Sequence, residues 1–517
     1  GGDGTVGVGT PVSTPGVGNC EYYNPFSNSI EMSAVNGYVN PNYDPAVANS
    51  VELMDWLITE TGSSTDNELL VFDAIFSGET GVQLGGGSMG YAFGAQVRQE
   101  RYEFGVVDVA DRSLNPCPWG QDTDLAGYLF GFDENCSVPS GQLAFLAAAD
   151  EESERRRVYG VFGELALPFS DTFNMQLAVR FEDYGGNVGS TIDPKAAFSW
   201  NFAEGFTFRG SASTTFRGPP QSILTGTGTA LQFIPAQNAF KAVDVNGNPD
   251  LKPEKAVSTN FGLVYQNEVF YGSIDYWRFD FTDPFQTESA QQITTAYFDT
   301  YQCFDGGAGV GTAECDALRM QVFPEGTNAA QLERIDTNWI NGGDVDTSGI
   351  DIFAQYDFTD VFGGTLGLGL QGTYTIEYKS DDFLSISGVT LSEGGDFVGF
   401  LNDGDPFTPK PEVQGNVFMR WDRDIHNAQF IVRYVDSYDD VRPGRSSVND
   451  LSKVDSFVTL DLHYNVTLFD NAFVSISVLN LTDEDPPAAS TDLNYDPFTH
   501  NPFGRMIKLG LRYSFGG

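Results

Sequence analysis

No stretch of this chain approaches the roughly 18 consecutive apolar residues that a membrane-crossing helix needs. Only three His and five Cys occur among 517 residues, and neither a CxxC pair nor a His/Cys cluster is present. That pattern argues against structural zinc. Basic residues are scarce: 27 Lys and Arg stand against 71 Asp and Glu, a formal charge of -44. A general nucleic-acid binder needs the opposite balance, and the acidity reads first as solubility. HExxH and P-loop signatures are missing, so no enzyme constellation is visible. Paired carboxylates are too plentiful here to single out a hydrolase. The start, Gly1-Gly2-Asp3-Gly4, has neither the basic segment nor the apolar core of a signal peptide.

Glycine and aromatics, by contrast, are abundant: Gly 58, Phe 42, Tyr 22. They sit in segments that alternate with period two. Ile507, Leu509, Leu511, Tyr513 and Phe515 share one face, with Lys508, Gly510, Arg512 and Ser514 on the other. Val458, Leu460, Leu462, Tyr464 and Val466 alternate with Thr459, Asp461, His463 and Asn465. Met175, Leu177, Val179 and Phe181 alternate with Gln176, Arg180 and Glu182. Such segments suit strands with one face to lipid and one to a wet lumen. If the chain spans a membrane, it does so as a barrel, because only helices and closed barrels satisfy the backbone in lipid.

About fifteen strands are predicted by this alternation, at 68–84, 88–103, 157–168, 172–184, 193–202, 206–214, 255–266, 269–282, 348–360, 364–378, 411–422, 426–437, 453–467, 471–481 and 504–515. Short turns and mostly long loops alternate between them, the long ones at about 104–156, 185–192, 215–254, 284–347, 379–410, 438–452 and 482–503. The predicted fold is therefore all-β: an antiparallel transmembrane barrel with short periplasmic turns and long extracellular loops. Parity fixes each strand's direction, and the first predicted strand runs inward. An even-stranded barrel needs an outward first strand, so further strands are expected before residue 1. On this reading 1–67 is the end of a long extracellular loop, with a short helix near 45–58, and 68–517 is a partial C-terminal barrel.

Cys117 with Cys136, and Cys303 with Cys315, lie close together in Gly/Asp/Pro-rich stretches, which suits two local loop disulfides in an oxidising compartment. Cys20 is left over. Phe26, Phe285, Phe407, Phe498 and Phe503 follow proline and read as rim aromatics and turn chemistry. Trp119, Tyr128, Trp339 and Tyr438 fall in predicted long loops and are the candidates to stack on a sugar or an aromatic chelate. Asp436, Asp439 and Asp440 offer oxygen ligands for calcium, but without EF-hand spacing.

A series of motifs then occurs in order. Phe216-Arg217-Gly218-Pro219-Pro220 is followed by Asn248-Pro249-Asp250-Leu251-Lys252-Pro253-Glu254 and by Ser273-Ile274-Asp275-Tyr276-Trp277. Next come Asn341-Gly342-Gly343, Thr347-Ser348-Gly349-Ile350-Asp351, Asn480-Leu481-Thr482-Asp483 with Pro486-Pro487, and Gly504-Arg505. Together they resemble the signatures of TonB-dependent outer-membrane receptors, over roughly 68–515. The residues themselves have structural readings. Pro249 and Pro253 flank a strand entry, since proline lacks the ladder donor. Gly349 lets the chain bend where its strand enters the wall, and Asn480 bonds neighbouring backbone in a turn.

The resemblance implies a barrel of 22 strands, an N-terminal plug and an energy-coupling box, neither of which is visible here. It also implies that Phe515 is the terminal aromatic read during assembly, although Gly516-Gly517 follow it. Function follows as an expectation: active uptake of a scarce solute across the Gram-negative outer membrane, driven by TonB through the plug. Outer-membrane lipid and a small solute are the other expected partners, with no cofactor. Siderophore, cobalamin and carbohydrate remain open, the acidity tilting toward a carbohydrate or neutral solute. A passive porin and a secreted β-rich glycan-binding protein are the rival readings.

Overall fold

The computed structural model describes residues 22–58, 60–111, 113–114, 148–234, 239–304, 306–322, 334–401, 410–440, 452–469, 471–491 and 493–515. Alternating side chains build one large antiparallel sheet of 16 strands, fifteen of them in a single path. In chain order these are β1 (Ser63–Leu84), β2 (Gly87–Val106), β3 (Glu152–Ser170), β4 (Phe173–Gly185), β5 (Gly189–Ala203), β6 (Phe206–Arg217), β7 (Glu254–Gln266) and β8 (Phe270–Thr282). The path continues through β9 (Val345–Val361), β10 (Gly364–Ser380), β11 (Val413–Arg423), β12 (His426–Val435), β13 (Phe457–Leu468), β14 (Ala472–Leu479) and β15 (Met506–Tyr513). Every strand bonds to its predecessor in sequence, and a two-residue strand, Gly395–Asp396, adds to β10. Among the described residues β1 pairs only with β2, and β15 only with β14.

The two faces differ as alternation demands. Val161, Leu177, Val179, Leu263, Ile352, Leu370, Val417, Leu462 and Leu509 are exposed on the outer face, where lipid is the solvent. Arg98, Glu100, Arg156, Arg180, Glu182, Arg209, Asp275, Arg433 and Asp461 occupy the inner face and pair there with one another. Buried charges need such partners. Asp275, buried, takes a two-pronged bond from Arg209 at 2.9 and 2.8 Å.

Apolar burial is concentrated in the loops. The strands Phe285–Thr287, Arg334–Asn341, Ala239–Asn246, Thr227–Ile234 and Ala148–Ala149 form a second, five-stranded sheet. Helices Ala290–Thr295 and Ala313–Val322 pack on it around Ile234, Val243, Ile293, Tyr297, Leu318 and Ile335. Cys303 and Cys315 are joined inside this core, with Cα atoms 5.1 Å apart. Ser289 caps the first helix by accepting from Gln292 N. The buried carboxylate of Glu288 accepts from Gln321 Nε2, Asn338 N, Asn338 Nδ2 and Ile386 N, tying four segments together.

Several boundaries differ from expectation. The segment 185–192 is not a long loop: β4 and β5 close a tight hairpin through Gly185 and Gly189, both with positive φ. β1 begins at Ser63, and the short helix before it is Val51–Leu57, capped by Ser50. The excursion 284–347 carries helices and strands with their own core, which its Gly/Asp content conceals.

Candidate functional site

At the loop end of the inner face, β2, β3 and β4 bring together Arg98, Glu100, Arg156, Arg180, Glu182 and Tyr184. Tyr184 lies between two guanidinium groups, Arg98 at 5.2 Å and Arg156 at 4.9 Å from its ring centre. Contacts of this kind are worth about 0.5–2 kcal/mol each. Its hydroxyl receives a hydrogen bond from Arg98 Nη2 at 2.8 Å. Glu100 accepts from Arg98 Nε at 2.7 Å and from Arg156 Nη2 at 2.6 Å. Glu182 pairs with Arg98 at 3.1 Å and also with Arg180. Three cations thus meet two anions here, an excess of positive charge inside a strongly acidic chain.

The Phe216–Pro220 motif is anchored to this cluster. Arg156 Nη1 donates to the Pro219 carbonyl at 2.8 Å, and Phe216 meets Tyr184 edge-on at 5.7 Å. A methyl group on Gly218 would sit 2.5 Å from Tyr184 Cε1, so only glycine permits the approach.

The Asn248–Glu254 motif fastens the neighbouring rim. Asn248 Nδ2 donates to the Trp339 carbonyl at 2.8 Å, while its Oδ1 accepts from Asp250 N and sets the turn containing Pro249. Leu251 is wholly buried. Lys252 N donates to Asn341 Oδ1 at 2.9 Å, and Asn341 Nδ2 returns bonds to Lys252 O and Asp283 O. After Pro253, Glu254 pairs with Arg217 at 2.7 Å and accepts from Phe285 N, and Arg217 lies over the Phe285 ring. Motifs far apart in sequence therefore converge on one weld between β6, β7, β8 and the excursion before β9.

Among the other residues singled out, Gly349 lies under Trp277, whose Cζ2 would be 2.4 Å from an added Cβ. The β9–β10 register also shifts at Ser348/Gly349. Sequence reasoning found the bend and missed the indole. Asp351 accepts from Thr373 Oγ1 at 2.7 Å. Asn480, at φ 50, donates from its backbone N to Asp461 and exchanges bonds with Glu484. Phe515 is 89% exposed beside Tyr513.

Trp339 is half-buried within the second sheet. Tyr438 is not open to a solute: it is 2% exposed, and its hydroxyl donates to Asp496 Oδ2 at 2.6 Å and contacts His500 Nε2 at 2.9 Å. Around it Leu401, Val454 and Ala489 form a small core. Burial pushes the His500 imidazole below its ordinary value, against the opposing pull of Asp496. Burial and Asp496 both push the Tyr438 phenol upward. No group of three or more metal-ligating side chains occurs among the described residues, Asp436, Asp439 and Asp440 included. Cys20, Cys117, Trp119, Tyr128 and Cys136 lie outside the described residues.

Similarity to known proteins agrees with this architecture. The family "TonB dependent receptor-like, beta-barrel" matches residues 21–481. An iron-regulated outer membrane virulence protein of Vibrio cholerae is 24% identical over 353 residues, which are 68% of this chain and 43% of that protein. The siderophore receptor PirA of Acinetobacter baumannii superposes with a TM-score of 0.54 at 16% identity, covering 94% of this chain and 57% of that one. A ferric enterobactin receptor variant of Pseudomonas aeruginosa bound to enterobactin gives 0.56 at 14% identity, covering 92% and 56%. The chain thus spans about half the length of these proteins. Its match to the family covers most of the wall and of the loops above it, and the relatives are transport receptors of the Gram-negative outer membrane. The chain belongs to the TonB-dependent receptor family, and its fifteen-strand path is β-barrel wall.

Proposed function

We propose that this chain serves TonB-dependent uptake of a ferric siderophore across the outer membrane. The observation that carries the reading is the Arg98–Tyr184–Arg156 cluster at the loop end of the lumen. Tyr184 is itself buried, so the guanidinium groups of Arg98 and Arg156 are what the cluster offers a solute, and they suit an oxygen-rich, anionic chelate. The names of the relatives, siderophore and ferric enterobactin receptors, support the same class. They outweigh the tilt toward a neutral solute taken from net charge alone. Energy coupling would pass through a plug and TonB, as the family's name implies, and no catalytic role is assigned to any residue. The weld at the Asn248–Glu254 motif ties the loop excursion to the wall.

The test uses the full-length receptor in its own outer membrane. Cells lacking it should lose TonB-dependent uptake of at least one radiolabelled ferric chelate from a catecholate and hydroxamate panel. Arg156→Ala should weaken binding of that chelate about tenfold, one charge-assisted contact. Iron uptake unchanged by the deletion, with loss of oligosaccharide uptake instead, would establish the carbohydrate reading.

A further inference from the structure

Three successive short turns end in bulky apolar residues. They are Phe362 between β9 and β10, Ile425 between β11 and β12, and Phe469 between β13 and β14, exposed by 82%, 47% and 88%. Phe362 and Phe469 have φ of 51° and 53°, a left-handed conformation that bulky side chains rarely adopt. Glycine and asparagine are the ordinary occupants of such positions. Elsewhere the short turns carry Gly85-Gly86, Asp171-Thr172, Glu204-Gly205 and Glu268-Val269. Apart from half-buried Val269, the apolar tips fall in one sector of the rim, two strands apart, or about 10 Å.

These tips do not belong to the interfacial belt. Phe358, Leu366, Trp421, Ala428 and Tyr464 already lie across from one another in register on the outer face. Phe362 and Ile425 come four residues beyond that level and Phe469 five, roughly 13–17 Å further along the strands. The Phe362 turn is also held rigidly, since Trp421 Nε1 donates to Val361 O at 3.1 Å and Arg423 Nη1 to Phe362 O at 3.3 Å. Exposed acids, Asp360 and Asp424, flank the tips, each with positive φ. Asp424 meets Arg423 at 3.6 Å, and the excess of carboxylate left at the tips repels anionic phospholipid headgroups and favours a basic partner.

We infer that Phe362, Ile425 and Phe469 form a docking edge for a periplasmic protein that offers apolar pockets rimmed by Lys or Arg. The inference rests on the barrel's orientation, short turns inward, and not on which solute is carried. A bulky residue held exposed in a left-handed turn is strained, and strain of that kind points to a functional contact.

The test places a benzoylphenylalanine cross-linker at 362 or 469 of the full-length receptor in cells, and an environment-sensitive nitrobenzoxadiazole dye at the same positions in vesicles of spin-labelled phosphatidylglycerol. Expected are one protein adduct common to both positions, at least a tenfold loss of it on Ile425→Asp or in high salt, and dye emission unquenched by the lipid. Phe362→Asn with Phe469→Asn relaxes the turns, so that variant should assemble at least as well as the parent. In that variant, the adduct from a cross-linker at 425 should fall by the same factor. Strong quenching by the spin-labelled lipid would make the tips membrane anchors and overturn the inference. So would absence of a common adduct, or an adduct indifferent to Ile425→Asp.

Discussion

Gly349 has no side chain, and Trp277 takes the space that a methyl group would fill. The same exchange operates at Gly218 and Tyr184. Both are backbone-to-aromatic approaches in which the neighbour cannot withdraw without losing its own contacts. Gly349→Ala should destabilise the folded barrel by about 1–3 kcal/mol, the usual range for overpacking. Heat-modifiable gel mobility, read as the temperature at which the folded band disappears, checks this, and an unchanged transition would show that Trp277 can move at no cost. His500 invites a different measurement. Its imidazole binds a proton less well folded than unfolded, so its contribution is full above about pH 6.5 and declines as pH falls from there. The orphaned Nδ1, buried with no partner, is where that proton would go. Amide protection at 488–500 and 438–440 should therefore drop between pH 7.5 and 5.5, and His500→Gln should remove the pH dependence.

At the level of elements, wall and loops were unequally legible. Each wall strand announces itself through two-residue alternation, because lipid and water impose it locally. Segment 185–192 was misread since Gly185, Gly186 and Gly189 look like loop although they only turn a hairpin. The second sheet was illegible for another reason. Arg334–Asn338 pairs in parallel with Ala242–Asn246, roughly ninety positions away, and nothing local encodes that partnership. Tyr438 likewise looked like a loop aromatic, its burial depending on Asp496 and His500. The cysteine pair was readable because its closure is local. Replacing Cys303 and Cys315 by serine should cost the loop assembly about 3 kcal/mol. Limited proteolysis should then cut within 290–322 while the wall strands stay protected, and equal resistance of both proteins would discount the disulfide.

Across the whole molecule, a formal charge of -44 acts on any approaching ion. On the proposed siderophore reading, an anionic chelate would be repelled at long range and held only at short range by guanidinium groups. Its association rate should rise as salt increases from about 10 mM toward 150 mM, where the Debye length shrinks from about 30 to 8 Å, and stopped-flow quenching would record it. A rate that falls with salt would mean that the basic cluster governs encounter as well as capture. The strictly sequential sheet also bears on how the wall is made. Since every strand bonds its predecessor, each addition closes only the intervening connection, and that entropy grows slowly with length. The longest described excursion, between β8 and β9, eases even this: Phe285 pairs with Asn341, so its two ends are zipped together before the membrane is reached. A loop core of this kind would present β9 to its neighbour already aligned. The part of the chain outside the large sheet would then bear on when β9 joins it.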